Sequence, residues 1–206
     1  MFVNPEKTAI VMIEYQNDFA KEGGALHGGV ARVMDDTDML ANSLALVEQA
    51  RRLGATIMLV PISFAEGYPE LPPAPYGIFK GVADSNAFRK GTWGAEIIDE
   101  LNPMPGDLVI EGKRGLDCFF STNLDFVLRQ RGITHVALAG FLTNCCVEST
   151  MRSAYERGYQ VVTLTDCTAT LSDEEQRVAV EKDFAMFSRP MKHQAFLEEL
   201  AAAGGG

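Results

Sequence analysis

"HVALAGFLTNCCVESTMRSAYERGYQVVTLTD", residues 135–166, contains three segments of two kinds in one short span. "HVALAG" (135–140) is apolar on both faces and too short for a core helix. "CVESTMRSAYERG" (146–158) reads as a helix and stops at a Gly. "YQVVTLTD" (159–166) is again rich in β-branched residues. Strand, helix, strand in this order is a parallel crossover, and runs apolar on both faces suit strands covered on each side.

The same reading extends along the chain. "TAIVMIE" (8–14), "TIMLVPI" (56–62) and "DLVIEG" (107–112) are further strand candidates. "DTDMLANSLALVEQARRLG" (36–54) and "STNLDFVLRQRG" (121–132) are helical patterns with a terminal Gly as the stop. "DEEQRVAVEKDFAMF" (173–187) predicts a helix leading into a last short strand, and "KHQAFLEEL" a terminal helix. Strands alternating with helices predict an α/β fold on a mainly parallel sheet. Residues 1–200 are expected to form one domain. The "AAAGGG" at 201–206 reads as a flexible tail.

The chain has 206 residues, 47% apolar and 22% charged, with a formal net charge of −10. That balance disfavours nucleic acid and anionic membrane surfaces as partners. No apolar run reaches the roughly 18 residues of a bilayer span, and the N-terminus lacks a basic region with an apolar one behind it, so a secretory signal is not expected. A cytoplasmic location is expected. The four cysteines lack zinc-site spacing and read as free thiols. No HExxH or Asp-x-His motif occurs, so neither a metal nor another cofactor is expected.

In an open parallel sheet, ligands bind beyond the carboxyl ends of the strands. Glu14 closes the first strand, Lys113 follows "DLVIEG", and Cys146 lies where the fourth strand turns into a helix. A helix N-terminus and a nearby ammonium would lower the thiol's pKa, and a carboxylate could accept its proton. His135 begins a strand, at the wrong end of the sheet. His193 is near the terminus, and His27 sits in the Gly-rich "GGALHGG". A carboxylate is therefore expected as base. Glu14 and Asp18 compete for that role: Glu14 is closer to a rigid strand, while Asp18 reads as a loop organiser. Cys145 reads as structural, and Cys118 and Cys167 have no evident partners. The Pro-, Gly- and aromatic-rich 64–90 segment predicts a pocket wall or lid. Phe19, Tyr68 and Trp93 are candidate wall residues.

These motifs carry a resemblance. "IEYQNDF" (13–19) resembles the first-strand motif of the isochorismatase-like cysteine hydrolases, usually written with Asp in the Glu14 place. "IEGKRGLDCFFSTNLDFVLRQRGI" (110–133) resembles their lysine motif, and "LAGFLTNCCVESTMRSAYERGYQVVTLTDCTAT" (138–170) their nucleophile segment. "GFLTNCCVEST", "GKRGLD" and "FAEGYPEL…PYGI" are most similar to streptothricin-hydrolase-like members. The resemblance implies a three-layer, Rossmann-like α/β/α fold with a six-stranded sheet. It implies a catalytic set of Glu14, Lys113 and Cys146, and a cis peptide at Phe141–Leu142. It also implies an oxyanion hole at the backbone N–H groups of Leu142 and Cys146, with Phe141 beside the pocket. The expected activity is hydrolysis of a C–N bond in a small amide, lactam or carbamoyl substrate through a thioester, in a homodimer or homotetramer. Vinyl ether hydrolysis of the isochorismatase type and a non-catalytic binding role are the alternatives. Two features depart from the family pattern: Glu14 replaces Asp, and "PISFAEGY" (61–68) replaces a metal-binding Asp-x-His loop.

Overall fold

Strand β1, Thr8–Ile13, is buried along its whole length, and its side chains divide between two cores. Ile10 and Met12 enter one hydrophobic cluster; Ala9, Val11 and Ile13 enter the other. A strand with apolar residues on both faces needs cover on both faces, which helices supply. Its neighbours repeat the division. Ile57 and Leu59 of β2 (Thr56–Val60) lie on the first side, with Met58 and Val60 on the second.

The computed structural model describes residues 4–101 and 103–204. Six strands form one sheet in the order β3-β2-β1-β4-β5-β6, every neighbouring pair parallel. The other strands are β3 (Leu108–Val109), β4 (His135–Phe141), β5 (Gln160–Ala169) and β6 (Arg189–Met191). The α-helices are α1 (Asn17–Ala20), α2 (His27–Asp36), α3 (Met39–Arg52), α4 (Ile78–Asp84), α5 (Leu124–Gln130), α6 (Glu148–Glu156), α7 (Asp173–Val178), α8 (Phe184–Phe187) and α9 (His193–Gly204). Helices α2, α3 and α9 cover one face of the sheet. Helices α5, α6 and α8 cover the other. Among the described residues no helix is long and apolar enough to cross a membrane.

The expected order of strands and helices is present, with four differences. The terminal helix continues through Ala201–Ala203 to Gly204, as three consecutive alanines favour; of the expected flexible tail, residues 205–206 lie outside the described residues. The helix expected over 173–187 is interrupted by a π-helical turn, Ala179–Asp183. Helix α2 was not expected, because Gly28 and Gly29 in its first turn disguise the pattern. Helix α4 lies inside the segment read as a structureless connection.

Connections in this order reverse direction between β1 and β4, so the crevice for a ligand opens beyond those two strands. Their approach depends on Gly140, which pairs with Ile13. Its φ is 125°, and an added Cβ would overlap the Ile13 carbonyl oxygen. Only Gly serves there. Gly140→Ala should therefore destabilise the fold by about 2–4 kcal/mol, read as a lower urea midpoint at unchanged m-value. A midpoint equal to the parent's would show that the two strands have slack at this position.

Candidate functional site

The chain leaves β1 at Glu14, whose backbone takes a left-handed φ of 57°. That conformation is strained for a residue with a Cβ, and such strain is held only where the surroundings fix it. The Glu14 N–H donates to the Val60 carbonyl (3.1 Å), and the Glu14 carbonyl accepts from Gln16 N–H (2.7 Å). The Gln16 side chain binds both backbone groups of Ile62, at 2.8 Å each. The break after β1 is thus tied to the end of β2.

Lys113 arrives from the loop beyond β3, and its ammonium is fully buried. Its Nζ lies 2.7 Å from Glu14 Oε1. Two aligned hydrogen bonds go to the carbonyls of Gly115 and of Leu116 (2.9 Å). Burial alone would lower the Lys113 pKa. The Glu14 carboxylate, together with the Cys146 and Cys118 sulfurs, outweighs it and holds Lys113 well above the usual lysine range. Glu14 Oε1 makes no other hydrogen bond among the described residues, so the Lys113 ammonium is its sole polar partner there.

Cys146 is reached from β4 through a π-helical turn, Thr143–Val147, that precedes α6. Such turns are rare and concentrate at functional sites. The expected helix start at Cys146 is therefore corrected: the thiol is in the fourth position of the turn. The Phe141–Leu142 peptide before it is cis. The Leu142 carbonyl accepts the N–H groups of Cys145 and Val147, both at 3.1 Å, passing over that of Cys146.

The expected low pKa of Cys146 is also corrected. Its hydrogen bond with Cys145, burial and the Glu14 carboxylate raise it well above the ordinary thiol range, against the opposing pull of Lys113. Cys146 is thus held as a neutral thiol. Cys145 behaves oppositely: the shared hydrogen bond lowers its pKa, against burial. Nor is Cys145 turned away from the site, since both sulfurs' residues border the same cavity. Cys118 is buried and pushed up to about 11 by that burial.

The cavity has a volume of about 280 Å³. Its floor includes Glu14, Cys145, Cys146 and Leu142. One wall is Phe19 with Ala25, Leu26 and Gly29 from the start of α2; another is Ile78, Phe79, Gly81 and Val82 of α4, with Phe88. Leu171 lies at the rim and is half exposed. The wall role expected of the 64–90 segment is thus played by α4.

Of the aromatic wall candidates, Phe19 lines the cavity and three do not. Phe141 lies one layer behind, stacked on Phe19 at 5.0 Å. Tyr68 is buried elsewhere, donating its hydroxyl to the Ala87 carbonyl (2.8 Å). Trp93 is half exposed and contributes its carbonyl to Asn17. Phe79 and Phe88 take their places. The signal for α4 was present as Ile78, Phe79 and Val82 at helical spacing, between Pro- and Gly-rich flanks.

Asp18 takes the organising role. Its carboxylate accepts the N–H groups of Ala25 (3.0 Å) and Phe88 (2.6 Å), fixing two walls from one residue. His27 anchors α2 through Nδ1, 2.8 Å from the Phe19 carbonyl. Away from this cavity's lining, Asp166, Cys167 and His193 bring one possible ligand atom each within 4.8 Å. Asp166 there accepts the His193 N–H and contacts its Nδ1, both at 2.8 Å, which docks the start of α9.

Comparison with known proteins bears on the family and the fold. The isochorismatase domain model matches residues 8–195. Ureidoacrylate amidohydrolase RutB of Rhizobium rhizogenes is 32% identical over 188 residues, covering 84% of this chain and 74% of that protein. A cysteine hydrolase from Pseudomonas syringae superposes with a TM-score of 0.83 at 22% identity, over 98% of this chain and 96% of that one. N-carbamoylsarcosine amidase from Thermoplasma acidophilum superposes with a TM-score of 0.69 at 25% identity, over 91% and 96%. Matched by the family's domain from the first strand into the last helix, the chain belongs to the isochorismatase family.

Proposed function

We propose that the chain hydrolyses a C–N bond of a small amide, lactam or carbamoyl compound through a thioester on Cys146. The observation that carries this reading is the shared cavity of Glu14 and Cys146, with the buried Lys113 ammonium 2.7 Å from the carboxylate. Relatives named as amidohydrolase and amidase support it.

Because the thiol rests neutral, its proton leaves as the sulfur attacks. Glu14 accepts that proton while the C–S bond forms at the carbonyl carbon. The N–H groups of Leu142 and Cys146 receive the oxyanion. Glu14 passes the proton to the nitrogen as the C–N bond breaks, and the amine or ammonia departs. Water then attacks the thioester; Glu14 takes one of its protons and returns it to sulfur as the acid leaves. Lys113 stays protonated throughout, holding the carboxylate in place and favouring the developing thiolate.

Cys146→Ala should reduce turnover at least about a thousandfold and abolish the acyl adduct seen by intact-protein mass spectrometry. An adduct that persists in this variant assigns the nucleophile elsewhere. Glu14→Gln should slow acylation by about 100- to 10,000-fold. Glu14→Asp keeps the charge beside Lys113 but withdraws the carboxylate by one methylene, and should still cost about a hundredfold in kcat. Full activity in a folded Glu14→Gln protein would remove Glu14 from the base role.

The buried groups also predict an alkaline limit to stability. An unfolded thiol ionises near pH 8.5, whereas folded Cys118 is raised to about 11. A raised folded pKa means the native state holds the proton more tightly. The associated stability is whole below about pH 8.5 and is lost as pH climbs toward 11, on the order of 3 kcal/mol for this group. Cys146 and Lys113 shift in the same sense. Tm measured by calorimetry should fall steadily from pH 8.5 to 10.5, with a shallower slope in Cys118→Ala. A Tm that stays level over this range contradicts the assignment.

A further inference from the structure

The cavity beside Cys146 is walled almost entirely by carbon. Phe19, Phe79, Val82, Phe88 and Leu171 surround it, and the ionisable side chains on its border are Glu14 and the two thiols. Among the described lining residues none is a cation. Lys113, the ammonium paired with Glu14 on the cavity's border, already faces three acceptors: Glu14 and the carbonyls of Gly115 and Leu116. Arg114, next in the chain, is committed to Glu70 (3.3 Å) and to the Lys113 carbonyl (2.9 Å). A substrate carboxylate placed in this cavity would lose its hydration without a partner and would meet the Glu14 charge.

We propose that the substrate is an uncharged carboxamide whose acyl group is a compact hydrocarbon, alkyl or aryl, and not a ureido acid or other anionic amide. This inference rests on the Cys146 hydrolase reading and adds the identity of the acyl group. The acyl carbons lie between Phe19, Phe79, Val82 and Phe88, and the carbonyl carbon faces the Cys146 sulfur. A volume of about 280 Å³ lies at the lower end of ligand cavities, which run to roughly 300–1,000 Å³, so the group is small. For a primary amide, the C–N bond breaks as the C–S bond forms and the thiol proton leaves with nitrogen as ammonia. Water then cleaves the thioester, giving the carboxylic acid and the free thiol. The acid product ionises in water, and the apolar walls and Glu14 favour its release.

The test measures ammonia release and Cys146 acylation for the full chain with acetamide, butyramide, hexanamide and benzamide. N-carbamoylglycine and 3-ureidopropionate are the anionic comparators. The expected result is a kcat/KM that rises about fourfold per methylene until the cavity is filled, with benzamide at least about tenfold above either ureido acid. Preference for the ureido acids, with an adduct on Cys146, overturns the acyl-group inference and leaves the hydrolase reading standing. Absence of both ammonia and adduct with every compound overturns the hydrolase reading itself. Leu171→Arg supplies a second arm, since that half-exposed rim position tolerates a long side chain. It should reduce the hexanamide-to-ureidopropionate ratio by about tenfold; an unchanged ratio places the acyl group away from this wall and overturns the pose.

Discussion

The ion pair between Lys113 and Glu14 is the constraint around which the site is built. Taking two charges out of water costs several kcal/mol each unless geometry and hydrogen bonds compensate. Here both side chains are almost wholly buried, and two backbone carbonyls join the carboxylate around the ammonium. Those carbonyls belong to Gly115 and Leu116, so the loop beyond β3 wraps the lysine that it carries. The Lys113 carbonyl in turn accepts from Ser63 N–H (3.4 Å), just past β2. The pair therefore fastens the ends of β1, β2 and β3 to one point at the mouth of the sheet.

That arrangement changes what the cysteine is. A lysine beside a thiol ordinarily favours the thiolate. Here the hydrogen bond from Cys145, then burial and the Glu14 carboxylate, outweigh that pull at Cys146, and the sulfur stays protonated. A neutral thiol is less open than a stored thiolate to adventitious oxidation and alkylation. The neighbouring Cys145 is shifted the other way by the same hydrogen bond, so two adjacent thiols on one cavity differ in ease of ionisation.

The strand pattern was legible because two-sided burial leaves unbroken apolar runs, and β1 and β4 begin where those runs begin. Glu14, Lys113 and Cys146 could be placed at one end of the sheet from position alone, since parallel strands send all their carboxyl ends the same way. Other features depend on information that periodicity lacks. The π-helical turn shifts Cys146 within its turn and brings Cys145 to the cavity, and no residue pattern announces an i to i−5 bond. Aromatic identity does not reveal which way a ring points: Phe141 and Tyr68 are as buried as Phe19 but belong to other layers. Helix α4 was hidden by its flanks. Asp18 was legible as an organiser, but its reach to Phe88, 70 residues away, is a tertiary fact.

Helix α4 and Phe88 belong to the excursion between β2 and β3, whereas Glu14, Lys113 and Cys146 lie outside that excursion. One wall of the cavity is thus carried by a stretch of chain separate from the three buried polar residues, while Phe19, Leu26 and Leu171 carry the rest, and the Asp18 clamp fastens the excursion to the start of α2. A change of length within the excursion would reshape that wall and leave the Lys113–Glu14 pair in place.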